Sequence, residues 1–118
     1  MGFKFENLKV WQSSLELADE IDKLALSFPK HELYSLSSQI KRAADSVSLN
    51  IVEGSTGLSN LEFKRFLIIA NRSALEVVGC LDLAKRRNYI HQDIFSKLYN
   101  QIEILVKMIQ KLINSLKD

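Results

Sequence analysis

Gln39-Ile40-Lys41-Arg42-Ala43-Ala44-Asp45-Ser46-Val47-Ser48-Leu49-Asn50-Ile51-Val52-Glu53-Gly54 is the stretch whose reading decides the fold. Together with Leu36 just before it, Ile40, Ala43, Ala44, Val47 and Ile51 recur every three or four positions, the spacing of one helix face. Gln39, Arg42, Ser46, Asn50 and Glu53 recur in the same way and form a polar stripe along that face. Gly54 falls where a helix commonly ends on a left-handed residue that glycine adopts without strain. The spacing predicts a helix over about 34–53, with Gly54-Ser55-Thr56-Gly57 as the loop after it.

The same rhythm extends in both directions. Before the central helix, Val10, Leu17, Ala18, Ile21, Leu24, Ala25 and Phe28 predict a helix over about 7–28, with Asn7 as its N-cap. Pro29 ends it, because the residue before a proline avoids the α region. After the loop, Ser59-Asn60-Leu61-Glu62 has the form of a capping box. It opens a helix over about 60–87 whose inner face carries Phe63, Phe66, Leu67, Ala70, Ala74, Val77, Val78, Leu81 and Ala84. Ile94, Leu98, Ile102, Leu105, Ile109, Leu112 and Leu116 define a last helix over about 92–116. Four helices of similar length with short connections pack best as an antiparallel up-down-up-down four-helix bundle, an all-α single domain over 1–118. One proline and four glycines in 118 residues leave too few breakers for a β-sandwich or barrel.

Composition narrows the function classes. The net charge is only +2, so the chain as a whole is not a polycation. The charge is uneven: residues 1–28 carry three Lys and five acids, whereas residues 59–90 carry six Lys/Arg and three acids. Lys85-Arg86-Arg87 is the densest basic point, and it sits where a helix C-terminus attracts cations. Cys80 is the only cysteine, so no intrachain disulfide forms, as expected in a reducing cytoplasm. The first residues include Lys4, Glu6 and Lys9 and lack the apolar run of a signal peptide. No apolar stretch approaches the length of a membrane span.

The residue types that carry chemistry are poorly placed for it. His31 and His91 fall in different connections, without ligand spacing, so no metal or cofactor is expected. Cys80 lies mid-helix, away from the N-terminal field that activates a thiol. The Gly54 to Gly57 loop follows a helix and lacks the Lys of a phosphate-binding loop. Asn71-Arg72-Ser73 has the form of a glycosylation sequon but falls on a helix. No catalytic residue is assigned. The polar stripe suggests structural pairs instead. In an antiparallel hairpin, residues whose numbers share one sum lie at one height. Arg42 with Glu76 and Glu53 with Arg65 share such a sum, so both are expected to form interhelical ion pairs. Trp11, Ile68, Leu75, Ile104 and Met108 fall outside a single inner seam and are the expected oligomer interface.

Several motifs carry a family resemblance. They are Leu8-Lys9-Val10-Trp11, Phe28-Pro29, Glu32-Leu33-Tyr34, the central run above, Glu62-Phe63-Lys64-Arg65-Phe66-Leu67-Ile68-Ile69-Ala70, Ser73-Ala74-Leu75-Glu76 and Tyr89-Ile90. The chain resembles the bacterial four-helix-bundle proteins encoded in intervening sequences of 23S ribosomal RNA. The resemblance implies a left-handed up-down bundle, a homopentameric ring and a non-enzymatic association with RNA. A related branch supplies the accessory variability protein of diversity-generating retroelements, which binds nucleic acid and a reverse transcriptase. The motifs do not separate the two branches. For an RNA-associated scaffold the candidate phosphate contacts are Lys64, Arg65, Arg72, Lys85, Arg86 and Arg87. For the alternative, an adaptor that holds a partner protein such as a reverse transcriptase, these cations are ordinary surface charge.

Overall fold

The computed structural model describes residues 2–117. Four helices dominate: α1 at Lys9–Leu26, α2 at Leu36–Ser55, α3 at Asn60–Arg86 and α4 at Gln92–Ser115. Short 3-10 turns at Lys4–Asn7 and Lys30–Glu32 precede α1 and α2, and the described residues contain no strand. The connections are too short for a helix to return to its starting end, so neighbours run antiparallel. The bundle measures 45 × 23 × 23 Å. Its long axis is close to the length of α3, about 40 Å at 1.5 Å per residue.

The expected inner faces meet along the axis, except that Ile94 is 39% exposed. Leu17 and Ile21 of α1, Ile40, Val47 and Ile51 of α2, Leu67, Val77 and Leu81 of α3, and Ile102 and Ile109 of α4 are fully buried. Burial of these stripes, rather than helix propensity, is the main support of the helices.

α2 and α3 pack most closely because their facing residues are small. Ala43 and Ala44 of α2 and Ala70 and Ala74 of α3 are all buried. Gly54 is part of this contact. It lies inside α2, not beyond its end, and its φ is not positive. A Cβ built on it would stand 2.6 Å from the Cβ of Phe66. The expected left-handed cap is therefore corrected: glycine is present because α3 leaves no room for a side chain, and α2 continues to Ser55.

Other ends also differ from expectation. Asn7 closes the first 3-10 turn and does not cap α1, which begins at Lys9 without a side-chain cap. Ser59 does cap α3, accepting a hydrogen bond from the Glu62 amide at 3.1 Å. Asn88, just beyond the α3 C-cap Arg87, has a φ of 63°. The Tyr89 amide donates to the Ala84 carbonyl at 2.8 Å and the Asn88 amide to that of Lys85 at 3.0 Å. These two bonds form a Schellman turn, with asparagine in the position glycine usually takes.

Candidate functional site

Part of the polar stripe of α2 faces α3, where hydroxyls and amides make the contacts. Ser46 and Ser73 share a hydrogen bond of 2.8 Å across the interface. The Asn50 amide donates to the carbonyl and hydroxyl of Ser46. Gln39 donates to the Glu76 carboxylate at 3.3 Å. Among the described residues, neither Arg42 with Glu76 nor Glu53 with Arg65 forms an ion pair, which corrects both expected pairs. The bonds that do form join Gln39 to Glu76 and Ser46 to Ser73; lying near one level does not make two side chains face each other. All four are exposed, and a solvated pair gains at most about 1 kcal/mol to overcome side-chain entropy.

The most developed polar cluster centres on Glu32, to which no role was assigned from sequence. The 3-10 turn after Pro29 buries this carboxylate at 6% exposure. Its Oε1 accepts from the Ser35 hydroxyl at 2.7 Å and the Leu36 amide at 3.3 Å. Its Oε2 accepts from Arg87 Nη1 at 2.9 Å and the Tyr89 hydroxyl at 2.8 Å. His31 Nε2 lies 3.2 Å from the Tyr89 oxygen and extends the chain of contacts. The Schellman turn brings Tyr89 back into reach.

The Ser35 and Tyr89 hydrogen bonds, aided by the Leu36 amide and the Arg87 charge against the effect of burial, hold the Glu32 pKa down to about 2. The same contact pushes the Tyr89 phenol upward. A carboxylate so far below neutral and so fully bonded is a poor general acid or base. The arrangement works instead as a clasp between the α1–α2 connection and the end of α3. Glu32 and Tyr89 stand in motifs conspicuous in the sequence, but nothing in either motif says that they meet.

The six candidate phosphate contacts do not form one patch. Lys64 and Arg65 lie near the start of α3 and Lys85, Arg86 and Arg87 near its end, about 30 Å apart at the helical rise. Lys85 stands 3.9 Å over the Phe95 ring and also donates to Gln92. Arg87 belongs to the Glu32 clasp. Lys64 is half-buried and has an interaction of its own. Arg65, Arg72 and Arg86 are exposed. Their spacing is a multiple of seven, so they share one outward face of α3. Leu61, Ile68, Ile69, Leu75 and Leu83 emerge on this face too, each at least 40% exposed.

Gly79 occupies the remaining seven-residue step, between Arg72 and Arg86. A Cβ there would meet nothing within 4 Å. The other expected interface residues separate. Ile104 is 61% exposed. Trp11 packs edge-on against Phe5 at 4.8 Å and, like Met108, lies half-buried against the core.

Cys80 is buried in the core, and burial raises its thiol pKa. Asn71 is half-buried and reaches the Val106 carbonyl of α4. The described residues contain no group of three or more His, Cys, Asp or Glu able to hold a metal. No described helix is long and apolar enough to cross a membrane.

The fold has a close solved relative. A crystal structure from Bacteroides thetaiotaomicron, of a protein with unknown function from the S23 ribosomal protein family, superposes with a TM-score of 0.83. It shares 28% sequence identity, and the match covers 90% of this chain and 96% of that one. No curated protein gives a significant match. Residues 6–111 match the 23S rRNA-intervening sequence protein family, a span that takes in all of α1, α2 and α3, the Glu32 clasp and most of α4. The chain belongs to the 23S rRNA-intervening sequence protein family.

Proposed function

We propose that the chain is a non-enzymatic, cytoplasmic scaffold that assembles with copies of itself, as a homopentameric ring, and associates with RNA. The observation that carries the assembly is the outward face of α3. A ridge of Leu61, Ile68, Leu75 and Leu83 interleaved with Arg65, Arg72 and Arg86 gives an apolar contact with polar specificity at its edges. Gly79 supports the same reading. Glycine inside an exposed helix is less stable than alanine by about 1 kcal/mol, and within one copy no atom requires it. A second copy approaching at that point supplies the reason.

The RNA association rests on family membership. The second reading, an adaptor for a partner protein such as a reverse transcriptase, is favoured by one specific observation: Lys85 and Arg87 are already engaged within the chain.

Light scattering on the purified protein, with and without 23S rRNA fragments, tests the proposal. Leu75→Glu is expected to reduce the assembly to smaller species while leaving the helical content intact, and Gly79→Ala to weaken assembly while making the isolated protomer more stable. A wild-type protein that is monomeric at all accessible concentrations refutes the scaffold. An assembly that gives no salt-sensitive RNA binding, but retains a protein through nuclease treatment, establishes the adaptor instead.

A further inference from the structure

A cleft of about 520 Å³ opens between the end of α1 and the start of α2, within the volume range of ordinary ligand pockets, about 300–1,000 Å³. Its lining is mixed in chemistry. It includes Leu26, Leu33 and Tyr34, respectively 76%, 54% and 92% exposed. It also includes Lys30, Lys41 and Arg42. Lys41 is held by Asp22 at 3.1 Å. Arg42, which was expected to pair with Glu76, has no acidic partner among the described residues and borders the cleft instead.

The first turn of α2 adds to the cationic character of the lining. Ser35 donates its hydroxyl to Glu32 and does not cap the helix. Glu32 takes the Leu36 amide, and the amides of Ser37 and Ser38, also at the cleft, have no acceptor among the described residues. Such a terminus favours an anion. Asp45 is the one carboxylate lining the cleft. Its pKa is raised by burial against the opposing charge of Lys41, with Asp22 and Asp19 adding to the rise.

We propose that this cleft binds a nucleotide unit of single-stranded RNA, with an unstacked base on Tyr34 and its phosphate between Arg42, Lys30 and the start of α2. An aromatic face beside a cationic groove is the general arrangement for gripping single strands. A base inside a duplex cannot reach such a platform. Asp45 is an acceptor for ribose hydroxyls, which favours RNA over DNA. This inference rests on the RNA association proposed above and assigns it to a surface outside the six cations of the sequence reading.

The test is fluorescence anisotropy of the intact protein with a labelled short oligouridine and its deoxy counterpart across a salt series. Tyr34→Ala is expected to raise the Kd for the RNA about tenfold, the loss of one stacked base. Arg42→Gln is expected to reduce the slope of log K against log salt by about 0.7, one phosphate on a single strand. Both side chains are exposed, so both variants should melt like the wild type. Photocrosslinking of an iodouridine-substituted strand should label Tyr34. If the wild type binds and both variants bind identically to it, the cleft is not the site while RNA association stands. If the wild type does not bind, both readings fall. If Tyr34→Ala alters only the assembly size, the cleft is a contact between copies and the proposal is overturned.

Discussion

Replacing Gly54 with alanine places a methyl carbon 2.6 Å from the Cβ of Phe66, 3.0 Å from its neighbour Phe63 Cδ1 and 3.4 Å from the Phe63 carbonyl oxygen. Carbon atoms rest at about 3.5–4.0 Å, so the first contact is short by about 1 Å. The Phe63 ring can turn aside. The Phe66 Cβ cannot, because it is fixed to the α3 backbone. Relief requires α2 and α3 to separate along the seam where Ala43, Ala44, Ala70 and Ala74 are packed, which also strains the 2.8 Å Ser46–Ser73 hydrogen bond. Overpacking of this kind costs about 1–3 kcal/mol. Alanine recovers about 0.5–1 kcal/mol of backbone entropy, and less near the end of a helix. The net expectation is a loss of about 0.5–2.5 kcal/mol, a fall in Tm of about 2–12 °C for a domain of this size. Thermal and urea denaturation followed by circular dichroism measure it. A Gly54→Ala protein as stable as the wild type would refute the claim that close approach, and not turn geometry, fixes this glycine.

The clasp makes a pH prediction. The Glu32 pKa lies at about 2 in the folded chain against an ordinary 4.5, so the unfolded chain takes up its proton first. The stabilisation is therefore complete above the ordinary carboxylate range and disappears as pH falls through about 2. Glu32→Gln should be less stable at neutral pH and should lose less stability on acidification; parallel acid profiles would contradict the clasp. At Asn88, whose φ is 63°, alanine should lower stability by about 1–2 kcal/mol because its Cβ opposes the left-handed conformation. Glycine at that position should be tolerated, and equal melting of the alanine variant and wild type would sink the argument.

The four helices were legible because each buries one face along its whole length, and a continuous stripe leaves a periodic mark in the sequence. Ile40, Ala44, Val47 and Ile51 announce α2 without reference to any other segment. Ends were harder to read. Gly54 bears the signature of a cap, yet its reason is a residue twelve positions away on another helix. The polar stripe of α2 was legible as a stripe, but its partners depend on which rotamers face across the seam, and Gln39 faces Glu76 where Arg42 does not. The clasp was illegible because Glu32 and Tyr89 are 57 residues apart and neither stands in a repeating pattern. The exposed ridge of α3 was half legible: Ile68 and Leu75 fell outside the core stripe, while the value of Gly79 appears only when its surroundings are seen to be empty.

The sequence separation of the clasp has a kinetic consequence. Each helical hairpin forms from neighbouring segments, so its contacts can be made early at little loss of chain freedom. The bonds from Glu32 to Arg87 and Tyr89 span 55 and 57 residues and need the Lys30–Glu32 turn, the end of α3 and its left-handed Asn88 all in place. Bonds that need three separate elements in place are expected to close only after the barrier is crossed. Interactions absent from the transition state slow unfolding without changing the rate of folding. On that expectation the clasp is a latch on escape: Glu32→Gln should speed unfolding and leave the folding rate unchanged in stopped-flow measurements.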